Sequence, residues 1–159
     1  GSLMDEVDTI ALPPDARLDQ ETLYAIVDTI RLQQSVYKQA GSVHGCALFR
    51  GSELLTFVED VGRHNAVDAI AGWMWLEDMS GADKIFYTTG RLTSEMVIKG
   101  AQMGIPFLLS RSGVTQMGYQ MAKRVGMTLF ARCTGKHFLL YTGRKRFLHT
   151  PAEALAPAV

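Results

Sequence analysis

Between Lys84 and Arg132 short apolar runs alternate with amphipathic stretches, and this alternation limits the fold more than any other feature of the chain. Lys84–Thr88, Ile105–Ser110 and Met127–Arg132 have the length and composition of buried strands. The stretches between them, about Thr93–Met103 and Gln116–Val125, read as helices stopped by Gly104 and Gly126. Strand, helix, strand, helix, strand at this spacing implies a layered α/β domain with a mainly parallel sheet.

The flanking sequence extends the same pattern. Asp19 is placed to cap a helix whose apolar face is Leu23, Ile26, Val27 and Ile30, and which is expected to run to about Ala40, before Gly41. His44–Phe49 and Leu54–Val58, joined by the polar turn Arg50-Gly51-Ser52, read as a hairpin, so that the sheet is mixed. A helix with Ala66, Val67, Ile70, Ala71, Met74 and Trp75 on one face follows. A last strand, Phe138–Tyr141, comes after the Thr134-Gly135-Lys136 turn. Residues 1–18 contain Pro13-Pro14 and read as an extended lead-in, opening on Gly1-Ser2-Leu3, which has the look of an expression scar. Residues 19–149 form the single domain, and the Ala/Pro-rich residues 150–159 read as a flexible tail.

A chain of 159 residues with 47% hydrophobic content suits one core. Sixteen basic residues balance 16 acidic ones, which argues against a general nucleic-acid binder. No apolar run approaches the roughly 18–20 residues needed to span a bilayer. Two cysteines, Cys46 and Cys133, are too few for a disulfide framework, and a reducing cytoplasm is the simplest setting. Cys46 sits in an apolar strand pattern as a packed hydrophobe, whereas Cys133, between a strand and a turn, is expected to be the more accessible. The methionines Met74, Met96 and Met121 lie on helix faces and read as core.

In such sheets ligands bind beyond the carboxyl ends of the strands. The loops Glu59–Arg63, Thr89–Thr93 and Arg111–Thr115 fall there, and each feeds a helix N-terminus, where free N–H groups and the helix dipole favour anions. Gly62, Gly90 and Gly113 allow close approach of backbone to a ligand. Arg63, Arg91 and Arg111 can clamp phosphate, and Ser94, Ser110, Ser112 and Thr115 add hydroxyls. Of Glu59 and Asp60, one can cap the helix while the other reaches a base or ribose; two capping or solvated acids read equally well. His64 and Asp68 are spaced to touch on one helix, either to orient the imidazole or as a plain surface pair, and Asn65 can read a base edge. Arg144-Lys145-Arg146 reads as a solvated run, or, with Arg132, Lys136 and His137, as a second anion patch. His44 and His149 carry no readable signal.

The order hairpin–helix–strand–helix is that of the cytidine-deaminase-like fold. Zinc deaminases, however, carry His-x-Glu and Pro-Cys-x-x-Cys on the two helices. This chain has His64-Asn65-Ala66 and Gly90-Arg91-Leu92-Thr93 there, so zinc and deamination are not expected.

The runs GSVHGCALF, EDVGRHNAVDAI, TTGRLTSEMVIKGAQMGIPFLLSRSGVT, GMTLFAR and FLLYTG together resemble the formate dehydrogenase accessory proteins of the FdhD/NarQ family, over about Leu12 to Arg144. The resemblance implies a cytidine-deaminase-like three-layer α/β domain. It implies a cytoplasmic, homodimeric sulfurtransferase-type protein that takes sulfur from a cysteine desulfurase as a persulfide. The sulfur goes to the molybdenum bis-guanine-dinucleotide cofactor of formate dehydrogenase, of which GDP is a partial mimic. Carried over by position, the cofactor contacts are Glu59, Asp60, Gly62, Arg63, His64, Asn65, Gly90, Arg91, Ser94, Glu95, Lys99, Ser110, Ser112 and Thr115.

The family's sulfur-carrying C-G-x-C-G motif lies upstream of the point where this chain begins, and neither Cys46 nor Cys133 replaces it. The chain is either a fragment, as the opening scar favours, or a family member lacking the motif. It is expected to keep cofactor binding and to lack sulfur transfer. The alternatives are a non-catalytic guanine-nucleotide or cofactor-binding chaperone module, and a stand-alone enzyme using His64 and Asp68. Trp73 and Trp75 on one helix offer more apolar surface than a single face buries.

Overall fold

The architecture is that of a computed structural model describing residues 2–33 and 44–149. Its main sheet has six strands in the order β3-β2-β4-β5-β6-β7. The hairpin is β2 (His44–Arg50) with β3 (Glu53–Asp60), followed by β4 (Lys84–Thr88), β5 (Phe107–Ser110), β6 (Thr128–Thr134) and β7 (His137–Thr142). β4, β5 and β6 run parallel, while β2 and β7 run antiparallel to their neighbours. The mixed sheet expected from the strand–helix alternation is therefore present, with its parallel part in the centre.

Period-two alternation sorts the strand residues onto two faces. Cys46, Leu48, Phe86, Leu108 and Leu129 pack beneath α1 (Leu3–Asp8), α3 (Arg63–Leu76), α4 (Ser94–Gln102) and α5 (Gln116–Val125). Ala47, Phe49, Ile85, Tyr87, Leu109 and Phe130 pack beneath α2 (Gln20–Leu32). These are three layers, helix–sheet–helix. Asp19 caps α2 as the sequence indicates, its carboxylate accepting from the Thr22 amide at 2.7 Å. The helix ends at Leu32, and its expected continuation to Ala40 falls outside the described residues from Gln34 on.

Three expectations need correction, and one pairing was not foreseen. The lead-in is not wholly extended: Leu3–Asp8 is helical, with Ser2 and Asp5 forming a capping box and Val7 reaching the core. Leu18–Asp19 (β1) pairs in parallel with Phe147–Leu148 (β8), a two-residue ribbon too short for any periodicity to announce. Trp75 is exposed, because it lies about 100° round α3 from the buried Met74. Arg146 is buried rather than solvated: its guanidinium donates to the carbonyls of Pro13 (2.9 Å) and Gly126 (2.6 Å) and to Thr128 Oγ1 (3.2 Å), tying the lead-in to the last strands. Burial, and Arg17 nearby, push its pKa down.

Candidate functional site

The carboxyl ends of β3, β4, β5 and β6 lie along one edge of the sheet, as the pairing directions require. All three Gly/Arg loops meet there. Two of them are joined into one unit. The Leu92 amide donates to Gly113 O (2.9 Å) and the Thr115 amide to Leu92 O (3.1 Å). Ser110 Oγ donates to Gly90 O at 2.5 Å and accepts from the Ser112 amide at 2.9 Å. Ser112 Oγ donates to Thr89 O at 2.7 Å. Gly118 on α5 presses on this junction so closely that a Cβ there would stand 2.3 Å from Leu92 O.

Of the hydroxyls singled out as ligand donors, those of Ser110, Ser112 and Thr115 are thus bonded within the protein. Ser110 is fully buried, and Ser112 is half-buried with its hydroxyl committed to the neighbouring loop. Thr115 caps α5, accepting from the Gly118 amide at 3.0 Å. Thr93 caps α4 in the same way, and Ser94 opens that helix.

The Glu59–Arg63 loop is built differently. Asp60 Oδ1 accepts from the Gly62 amide at 2.8 Å and from Asn65 Nδ2 at 3.4 Å, which folds the loop on itself. Asp60 does not cap α3: the cap position is Gly62, and no side chain bonds the first turn. The amides of Arg63 and His64 therefore point out of the helix without an intrahelical partner. Val61 beside them is 77% exposed. Glu59, half-buried, pairs in the hairpin register with Gly45.

His64 and Asp68 do not pair with each other. Both reach across to α4 instead: His64 Nε2 lies 3.7 Å from Glu95 Oε2, and Asp68 pairs with Lys99. The Asp68–Lys99 pair links α3 to α4, and Glu95 faces His64 across the same gap. Arg63, Arg91 and Arg111 have no carboxylate partner among the described residues. Gly90 is buried and Arg91 exposed beside it.

Two residues at this edge escaped the sequence reading. His44, opposite Asp60 in the hairpin, puts Nδ1 3.4 Å from where a Cβ on Gly90 would stand. Counting the hairpin register back from Asp60 would have found it. Arg132, weighed only as part of a patch with Lys136 and His137, instead adopts a left-handed backbone with φ of 54°. Its amide donates to Ser112 O at 2.8 Å.

On the α2 side of the same edge is a cavity of about 690 Å³, within the size range of small-molecule sites. Tyr24, Val27, Ile30 and Tyr87 give it apolar walls, and Arg111 and Lys136 stand at it. Cys133 is in its wall, but, contrary to expectation, is only 1% exposed. Burial pushes its thiol up to about 12 and that of Cys46 up to about 11, so both are neutral and unreactive at neutral pH. Among the described residues no group of three or more His, Cys, Asp or Glu side chains could hold a metal ion, and no helix is long and apolar enough to cross a membrane.

The molecule is a three-layer α/β domain with Gly/Arg loops gathered at one sheet edge, and comparison with known proteins places it in a family. A model of the FdhD/NarQ family matches residues 1–148, and the chain belongs to that family. It is 37% identical over 137 residues to the Sulfur carrier protein FdhD of Saccharolobus solfataricus, covering 85% of this chain and 53% of the relative. Against the protein of the same name from Bacillus subtilis the identity is 31% over 130 residues, covering 82% and 50%. The chain thus spans about half the length of the curated relatives it matches. A crystal structure described as that of a formate dehydrogenase accessory protein from Desulfotalea psychrophila superposes with a TM-score of 0.81 at 36% identity, covering 90% of this chain and 62% of that one.

Proposed function

We propose that this chain is the cofactor-binding portion of a sulfur carrier protein for formate dehydrogenase maturation. Its cargo is the molybdenum bis-guanine-dinucleotide cofactor, and the sulfur comes from a cysteine desulfurase. The observation that carries this reading is the uncapped first turn of α3, flanked by Arg63 and placed on one edge with Arg91 and Arg111. Outward amides and guanidiniums without carboxylate partners suit the phosphates of a dinucleotide. The cavity beside Arg111 supports the reading by offering apolar walls for a planar base.

In this reading Arg63 and the α3 amides hold phosphate, Gly62 lets it approach the backbone, and Asp60 and Asn65 fix the loop. Ser110, Ser112 and Thr115 hold the frame. The cofactor, once sulfurated, supplies the redox chemistry of the dehydrogenase; this chain binds and orients it. Exposed Trp75 and Leu76 at the end of α3 give an apolar face for self-association or for the dehydrogenase apoenzyme.

A second reading, a non-catalytic module that presents a guanine cofactor, draws on the burial of both thiols, Cys46 and Cys133. Calorimetric titration with GDP, against ADP as control, tests what the two readings share. GDP binding that weakens in Arg63→Ala and Arg91→Ala is expected; equal binding of both nucleotides, or of neither, removes the guanine-cofactor assignment. Persulfide transfer from a desulfurase to this polypeptide alone would overturn the division of labour.

A further inference from the structure

The β6 strand contains an irregularity between Ala131 and Thr134, and Arg132 sits in it. Regular alternation would turn residue 132 toward α2, as it turns Phe130. The structure instead gives that place to Cys133, which packs in the α2-side core, and Arg132 is turned out. A bulge commonly re-aims one side chain in this way. The re-aiming is done at a residue whose φ of 54° favours glycine or asparagine over arginine.

The strained residue is also pinned. Its amide donates to Ser112 O at 2.8 Å, and its Nη2 would stand 3.3 Å from a Cβ on Gly113, so the guanidinium lies along a loop position that lacks a side chain. Among the described residues no carboxylate pairs with it. A buried or paired arginine would explain its cost by its partner; this one is exposed and has none.

We propose that Arg132 is a ligand-binding residue of the sheet-edge site: the β6 bulge holds its guanidinium over Gly113 to take a phosphate of the bound nucleotide. The inference rests on the guanine-nucleotide reading above and adds a fourth arginine, from a strand end rather than from a helix-feeding loop. It accounts for the strain as a cost kept for binding.

The test uses the full chain with Arg132→Asn, which accepts the left-handed backbone, and Arg132→Lys, which keeps the charge but not the fork. GDP, inorganic pyrophosphate and guanosine are titrated into each, and thermal unfolding is followed alongside. Arg132→Asn is expected to unfold at the parent temperature or above, and to bind GDP and pyrophosphate about 10- to 100-fold more weakly, with no change for guanosine. Arg132→Lys is expected between parent and Asn. An Asn variant that binds GDP as the parent does, or that unfolds well below it, overturns the proposal. A loss confined to guanosine does the same, because it would put Arg132 at the base. Failure of the parent itself to bind GDP removes the underlying reading and this inference with it, and is distinguishable from all the others.

Discussion

The two halves of the sheet edge are built from similar residues to opposite ends. In the 88–93 and 110–115 loops the hydroxyls, amides and carbonyls are spent on one another, both helices that follow are capped by threonine, and Gly118 seals the junction from behind. In the 59–65 loop the glycine sits at the cap itself, the acid beside it serves the loop, and the first amides of α3 are left facing outward. Gly, Arg and a polar neighbour occur in both. What distinguishes a frame from a receptor is where the hydrogen bonds go, and a frame that is internally satisfied is what allows the neighbouring loop to remain open.

The largest effect that would break this comparison is at Gly118. Gly118→Ala puts a methyl group 2.3 Å from Leu92 O, and prying α5 from the loops is expected to cost about 3 kcal/mol or more, read by chemical denaturation. Ser110→Ala removes a buried hydroxyl with two partners and is expected to cost about 2 kcal/mol. A Ser110→Ala protein as stable as the parent would mean that the joined loops are not held as described. In the open loop the balance reverses: Arg63→Ala is expected to change stability by less than about 0.5 kcal/mol while weakening GDP binding by about tenfold or more.

The smallest effect concerns Cys46, fully buried in the helix-covered face of the sheet with Sγ 3.6 Å from Thr88 Oγ1. Burial raises its pKa to about 11, so native protein at pH 8 is expected to resist thiol reagents and unfolded protein to react. Because the folded value lies above the unfolded one of about 8.5, this thiol's contribution to stability is complete below that pH and is lost as pH rises toward 11. Rapid native labelling of Cys46 would show that the core around Thr88, at the start of the joined loops, opens.

Much of this was legible in the sequence because it is local. The bounds of β4 and α5, the Asp19 cap and the three loops follow from period and from punctuating glycines over a few residues. What was missed depends on register or on distant partners. Arg146 looks like any basic run until Pro13, Gly126 and Thr128 are brought around it. Asp68 looked like a partner for His64 because they share a helix, yet each found a longer-range partner on α4. Ser110 and Ser112 announce hydroxyls, but not which way these point. Cys133 is buried against expectation because a bulge at Arg132, which has no reliable local signature here, shifted the alternation.

Hydrogen exchange of the backbone amides, with and without saturating GDP, tests the contrast between frame and receptor most directly. The amides of Gly90, Leu92 and Ser112, bonded to Thr88 Oγ1, Gly113 O and Ser110 Oγ, are predicted to exchange slowly in both states. The amides of Arg63 and His64 are predicted to exchange fast without nucleotide and to slow by about tenfold or more when it binds. Protection by GDP confined to residues 88–93 and 110–115, with none at Arg63 and His64, would contradict the account.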